Sequence, residues 1–308
     1  MTKRAILIGA VESTRVAFDA IAGSPNWTVA AVVTLDATLS DRHSDFVDLG
    51  ETASAYGCLV IAVDNINRDG ALDAIGAVVE NGGADYVFVI GWSQICGPRF
   101  LERMPPVIGY HPAALPRMRG RAAIPWTILM QEPITAGTLF WIDAGTDTGP
   151  ILDQQYFHVA PMETAATLYD KHMLALSAML GRTLTALARG DVSRLVQEEA
   201  CATWAAKRTP TEGRIDWSQS AEDIARLVRA TGRPYPGAHS SVDDEQLLIW
   251  AAIPVNGARH LGSTGQIIAR GSDSFTILCG QGSALMVTEW SGPGRMPRLH
   301  SILGGKAC

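Results

Sequence analysis

With 308 residues, 47% of them hydrophobic, the chain is long enough for two domains and too apolar to stay disordered. A net charge of −6, from 25 Lys+Arg against 31 Asp+Glu, provides no bulk attraction to a phosphate backbone. Cys58, Cys96, Cys201, Cys279 and Cys308 are widely spaced with no CxxC, the pattern of free thiols in a reducing, cytoplasmic setting.

The chain opens on Ala5-Ile6-Leu7-Ile8-Gly9, which reads as a buried strand. After Lys3-Arg4 this run is too short for a secretion signal, and no later stretch approaches membrane-spanning length. A helix over 13–22, a strand over 29–34, a helix near 46–56, a strand over 58–63, a helix over 72–81 and a strand over 86–90 follow. Continuous apolar strands between helices predict an α/β fold with a mostly parallel, doubly wound sheet. Residues 136–142 and 151–159 read as neighbouring strands, and 162–188 as a long amphipathic helix. From about Ala202 the character changes. A turn-rich linker, Lys207 to Gly213, precedes a helix over 221–230 with Ser220 as its N-cap. Short strands over 247–252, 265–269, 275–279 and 284–290, split by glycines, predict a small β-barrel-like domain. The expected division is 1–201 and 202–308.

Two stretches carry chemistry. In the first, His111 ends an apolar run (Val107-Ile108-Gly109-Tyr110) and is followed by Pro112-Ala113-Ala114-Leu115-Pro116-Arg117-Met118-Arg119-Gly120. In the second, Asp147 lies in the glycine-rich turn Asp143-Ala144-Gly145-Thr146-Asp147-Thr148-Gly149-Pro150, between two strand-like runs. A histidine and a carboxylate at two strand ends can meet in space, polarise a carbonyl and manage a proton. Gly91-Trp92-Ser93-Gln94-Ile95 also follows a strand, at the edge where ligands of such sheets bind. The segment Ile8-Gly9-Ala10-Val11-Glu12-Ser13 lacks dinucleotide-binding spacing. The remaining histidines show no metal-ligand spacing, so no metal is expected.

The His111 loop and Asp147-Thr148-Gly149 resemble the formyltransferases that use 10-formyltetrahydrofolate. That family's loop runs Asn-x-His-x-x-x-Leu-Pro-x-x-Arg-Gly, with Asp-x-Gly in the partner turn. Here the histidine and aspartate match, and Gly109 stands in the asparagine's place. Gly213-Arg214-Ile215-Asp216-Trp217 and Pro234-Tyr235-Pro236-Gly237-Ala238 resemble the carboxy-terminal open barrel of methionyl-tRNA and amino-sugar formyltransferases.

The resemblance implies that 10-formyltetrahydrofolate is the formyl donor. It assigns His111 as donor to the developing oxyanion, and Asp147 as partner of a protonated histidine or an ordered water. The pterin would lie against Gly91, Trp92, Ser93, Gln94 and Ile95 on one wall and Asp143, Gly145 and Thr146 on the other. Losing an oxyanion donor typically costs about 2.7–4 kcal/mol, so Gly109 calls for a substitute. Gln94 ranks first, ahead of Ser93, the Tyr110 hydroxyl and the Trp92 indole. Among Arg117, Arg119 and Arg121, Arg119 is the first candidate for substrate binding, together with Tyr110.

The expected acceptor is a small-molecule amine, either a nucleotide-linked amino sugar or an amino-acid-derived amine such as hydroxyornithine. Methionyl-tRNA formyltransferase is one alternative. The acidic stretch from Asp36 to Gly50, with Arg42 against Asp36, Asp41, Asp45 and Asp48, and the acidic Val242-Asp243-Asp244-Glu245 argue against tRNA as partner. A catalytically weakened folate-binding relative is the other alternative, supported by Gly109. The barrel-like domain offers a surface for a homodimer.

Overall fold

The computed structural model describes residues 2–42, 45–243, 245–255 and 259–304; His43, Asp244 and Cys308 of the sequence lie outside them. The elements, in chain order, are β1 (Lys3–Ile8), α1 (Glu12–Ala22), β2 (Trp27–Leu35), α2 (Gly50–Ala55), β3 (Leu59–Val63), α3 (Asp69–Gly82), β4 (Tyr86–Val89), α4 (Pro98–Arg103) and β5 (Val107–His111). They continue with β6 (Arg119–Gly120), α5 (Ala123–Leu129), β7 (Ile134–Trp141), β8 (Ile151–His158), α6 (Ala165–Arg189) and β9 (Trp204–Ala205). The last are α7 (Ala221–Thr231), β10 (Ala238–Val242), β11 (Glu245–Val255), β12 (Ile267–Arg270), β13 (Phe275–Leu278) and β14 (Ala284–Ser291).

The chain divides into two compact units. One comprises Met1–Ala123, Ile134–His158 and Tyr169–Ala206; the other comprises Ile124–Pro133, Val159–Leu168 and Lys207–Cys308.

The first unit is built on a seven-stranded sheet in the order β3-β2-β1-β4-β5-β7-β8. Strands β3, β2, β1, β4 and β5 run parallel; β7 is antiparallel to β5, and β8 is antiparallel to β7. Side chains alternate between the two faces with the period of a strand. Ala5 and Leu7 of β1 pack with Phe18 and Ile21 of α1 and with Leu176 and Leu180 of α6. Ile6 and Ile8 pack with Leu72 and Ile75 of α3 and Phe100 of α4. Along β5, Val107 belongs to the α3/α4 face and Ile108 to the α1/α6 face. The same alternation places Gly109 and His111 on the α3/α4 face and Tyr110 on the other.

Helix α6 begins three residues later than the hydrophobic pattern predicts. Thr164 and Thr167 exchange backbone-to-hydroxyl bonds of 3.1 and 3.2 Å, a reciprocal cap that sets the helix start. Helix α2 is likewise shorter than the pattern, and the Asp48 carboxylate accepts from the Gly50 N–H at its start (2.8 Å).

In the second unit a five-stranded antiparallel sheet, ordered β10-β11-β14-β13-β12, packs on α7. Ser220 caps α7 by accepting from the Asp223 N–H. The sequence pattern overlooks β10, because Ala238-His239-Ser240-Ser241-Val242 is too polar to read as apolar. Among the described residues no helix is long and apolar enough to cross a membrane.

Candidate active site

Strand β5 ends on His111, whose side chain is 7% exposed. The next residues are drawn against the β7–β8 hairpin. Thr138 of β7 donates to the Ala113 carbonyl (2.6 Å), and Gln154 of β8 donates to the Leu115 carbonyl (3.0 Å) and to Thr138 (2.8 Å). These bonds turn the chain so that it returns past its own histidine. Nε2 of His111 lies 2.7 Å from the Met118 carbonyl. A carbonyl only accepts, so Nε2 carries the hydrogen in either charge state of the ring. The nitrogen left for proton traffic is Nδ1, which faces Oδ2 of Asp147 at 3.6 Å.

Asp147 sits in the turn between β7 and β8 with φ of 54°, a conformation that aspartate tolerates better than most residues. Its Oδ2 accepts from the Gly120 N–H at 2.8 Å. Met118 and Gly120 therefore support both members of the pair, one through a carbonyl and the other through an amide hydrogen.

The structure gives three nominated side chains other partners. Gln94 donates to the Asp64 carbonyl (2.7 Å) and accepts from the Ile66 N–H (3.2 Å), joining the loops after β3 and β4. That directs its amide toward the β3 end of the parallel strands, whereas His111 lies at the β5 end. Arg119 is 1% exposed, so its guanidinium is not open to a substrate. It donates to Gln197 (3.1 Å) and Glu199 (2.9 Å) and lies 5.6 Å from the Trp204 ring centre. Tyr110 lies on the face opposite His111; its hydroxyl donates to the His172 carbonyl (3.2 Å) and lies 3.0 Å from His172 Nδ1. Burial raises the Tyr110 phenol pKa and pushes His172 down to about 3, with the charge of His111 a second cause for His172.

Gly109 has a packing explanation. A Cβ there would meet Phe140 Cε1 and Ile142 Cγ1, each at 2.9 Å. Apolar side chains thus fill the space beside His111 where a longer residue would project. Trp92 lies in the loop after β4, and its buried indole N–H has no partner among the described residues.

The two stretches expected to hold a pterin lie in the loop after β4 and in the turn between β7 and β8. Residues 143–146 are exposed, with the turn closed by Gly145 N–H and the Thr148 hydroxyl on the Asp143 carboxylate (3.0 and 2.7 Å). In the loop after β4, Ile95 is 62% exposed and the Trp92 N–H is unsatisfied among the described residues. Among the described residues no group of His, Cys, Asp and Glu could hold a metal ion.

Sequence reasoning missed Gln197, which is 8% exposed and donates to the carbonyls of Asp147 (2.8 Å) and Gly149 (2.7 Å). Gln197-Glu198-Glu199 reads as solvated loop, and nothing in its pattern signals burial.

Together these features define a two-unit α/β protein with a histidine–aspartate pair at the carboxyl edge of its sheet. The family model described as formyl transferase matches residues 21–184, and the one described as formyl transferase, C-terminal domain, matches residues 207–298. The chain belongs to the formyltransferase family.

Among solved structures, HypX from Aquifex aeolicus in complex with tetrahydrofolic acid is similar with a TM-score of 0.66 at 19% identity. The match covers 94% of this chain and 44% of that one. This chain therefore spans under half the length of the HypX structure. An N-formyltransferase from Helicobacter canadensis, in complex with folinic acid and dTDP-3-aminofucose, matches with a TM-score of 0.65 at 17% identity, over 94% of this chain and 99% of that one. Glycinamide ribonucleotide transformylase 1 from Symbiobacterium toebii matches with a TM-score of 0.53 at 20% identity, over 63% of this chain and 94% of that one. At these identities the likeness is one of fold.

Proposed function

We propose that the protein is an N-formyltransferase that moves the formyl group of 10-formyltetrahydrofolate to a small-molecule amine, of the nucleotide-linked amino-sugar or amino-acid-derived class. The observation that carries this reading is the His111–Asp147 pair, held at the carboxyl edge of the sheet inside the matched family region. The ligands in the similar structures, tetrahydrofolic acid and folinic acid with dTDP-3-aminofucose, support a folate donor and a small acceptor.

When bound, the donor supplies an activated formyl group and a leaving nitrogen. His111 acts through Nδ1, because Nε2 is committed to Met118. Protonated at Nδ1, it stabilises negative charge developing on the formyl oxygen. Asp147 holds that imidazolium and takes part in moving the amine's proton toward the departing nitrogen. The Trp92 indole N–H, the one nominated donor with no partner among the described residues, is assigned to the ligand in place of the family asparagine. Residues 1–201 form the catalytic domain and 202–308 an auxiliary one, in a cytoplasmic protein.

The test is tetrahydrofolate release from 10-formyltetrahydrofolate with a panel of amines: nucleotide-linked amino sugars, hydroxyornithine and charged initiator tRNA. The expected result is turnover dependent on one small amine, abolished in His111→Ala and Asp147→Ala. Folate binding without turnover on any amine would overturn the reading in favour of a weakened relative.

A further inference from the structure

We propose that Gln197 is a positioning residue for formyl transfer, setting the backbone of Asp147 so that its carboxylate meets Nδ1 of His111. The inference rests on the reading of Asp147 as a reacting group.

The direction of the Gln197 amide follows from its neighbours. Arg119 Nε–H only donates, so the atom facing it at 3.1 Å is the Gln197 oxygen. The NH2 end is thereby turned to the carbonyls of Asp147 and Gly149, which only accept. Arg119 is in turn fixed by burial, by Glu199 and by the Trp204 ring. Its backbone N–H donates to the Thr203 carbonyl (2.9 Å), in the pairing of β6 with β9.

The circuit closes on itself. Arg119 reaches the Asp147 backbone through Gln197, and the next residue, Gly120, reaches the Asp147 carboxylate directly. Two adjacent residues therefore hold one aspartate at both ends. Asp147 needs such support, because its left-handed backbone would relax to another conformation if the carbonyl were released. Relaxation would swing the carboxylate off the histidine, and small displacements at a reacting centre are expensive in rate. The folate wall is closed separately, by Asp143 on Gly145 and Thr148. Loss of Gln197 therefore affects turnover more than donor binding.

Two substitutions separate this role from simple packing. Gln197→Ala removes both ends of the amide. Gln197→Glu keeps an acceptor for Arg119 but has no N–H for Asp147 and Gly149. Both are expected to lower kcat between about tenfold and a hundredfold, as displacement of a reacting group does. The KM for 10-formyltetrahydrofolate should stay within about twofold. The 15N spectrum of the His111 imidazole at fixed pH should change in both variants, a readout that needs no acceptor. If Gln197→Ala fails to fold, Gln197→Glu carries the test. Wild-type kcat and an unaltered His111 spectrum in Gln197→Glu would overturn the proposal and leave Gln197 a packing partner of Arg119. If the wild-type protein transfers formyl to no amine, the proposed function fails by itself. The imidazole spectra of the two variants then decide the placement of Asp147 on their own.

Discussion

Oδ2 of Asp147 stands 3.6 Å from Nδ1 of His111, beyond a hydrogen bond and within an ion pair. The same oxygen accepts from the Gly120 N–H at 2.8 Å. An amide oxygen can take that second bond but not the first role. Asp147→Asn is therefore expected to fold with a melting temperature close to that of the wild type and to lose about a hundredfold or more in kcat. Steady-state kinetics with the identified acceptor, alongside a thermal melt, check both halves. Retention of activity would remove the carboxylate from the reaction.

Gly120 carries two constraints at once. Its φ is 105°, in the region that favours glycine, and a Cβ would sit 2.5 Å from the Ala205 carbonyl oxygen. Backbone does not give way as a side-chain tip does. Gly120→Ala is expected to cost roughly 1–3 kcal/mol of stability from the backbone conformation alone. It should also lower kcat, because the displaced amide is the one that holds Asp147. Denaturant unfolding and kinetics on one preparation measure the two effects. A fully active, fully stable variant would contradict this account.

How much of this was legible beforehand differs from residue to residue. The parallel strands were readable because β1, β2 and β4 are buried on both faces and leave continuous apolar runs. His111 and Asp147 were readable because each sits in a turn rich in proline or glycine just after a strand. Their supports were not. The Met118 carbonyl and the Gly120 amide are backbone groups, which every residue type carries, so composition does not mark them. Arg119 is polar in sequence and almost wholly buried in the fold, a reversal produced by Gln197, Glu199 and Trp204, each distant from it along the chain. Gln94 reads as the substitute oxyanion donor because it follows a neighbouring strand; its partners, Asp64 and Ile66, come from a loop whose path the pattern does not give.

His172 on α6 offers a handle on stability rather than on chemistry. With Nδ1–H given to the Tyr110 hydroxyl and that hydroxyl given to the His172 carbonyl, Nε2 is left as a buried lone pair without a partner among the described residues. Burial depresses its pKa from 6.5 to about 3. The unfolded chain then binds a proton that the folded chain refuses, so stability falls as pH drops from about 6.5 toward 3. At one pKa unit per 1.36 kcal/mol, the loss over that window is on the order of 4 kcal/mol. In His172→Leu the Tyr110 hydroxyl keeps its backbone acceptor and the titration disappears. Urea unfolding at pH 7 and pH 4.5 should show a smaller difference in the variant than in the wild type. An unchanged difference would assign the acid sensitivity to other groups.

Gly109 and Phe140 lie directly opposite each other on β5 and β7, and both face the side of the sheet that carries His111. A side chain at 109 begins 2.9 Å from the Phe140 ring and from Ile142, so asparagine must push both aside. Overpacking of this kind costs about 1–3 kcal/mol, and Gly109→Asn alone is expected to lower stability within that range without raising kcat. Phe140→Ala leaves a cavity and is destabilising by itself, by about 3–5 kcal/mol. Together the two should cost less than the sum of each, because the asparagine occupies space the ring vacates. A double-mutant cycle in denaturant unfolding measures that coupling. Strict additivity would mean that Phe140 does not occupy the asparagine's place, and the apolar filling of the site would need another explanation. A coupled pair, by contrast, would show that this chain has exchanged a polar group beside its histidine for a packed apolar wall. The oxyanion donor would then lie elsewhere, and Trp92→Phe, which keeps the ring and removes the N–H, becomes the substitution that locates it.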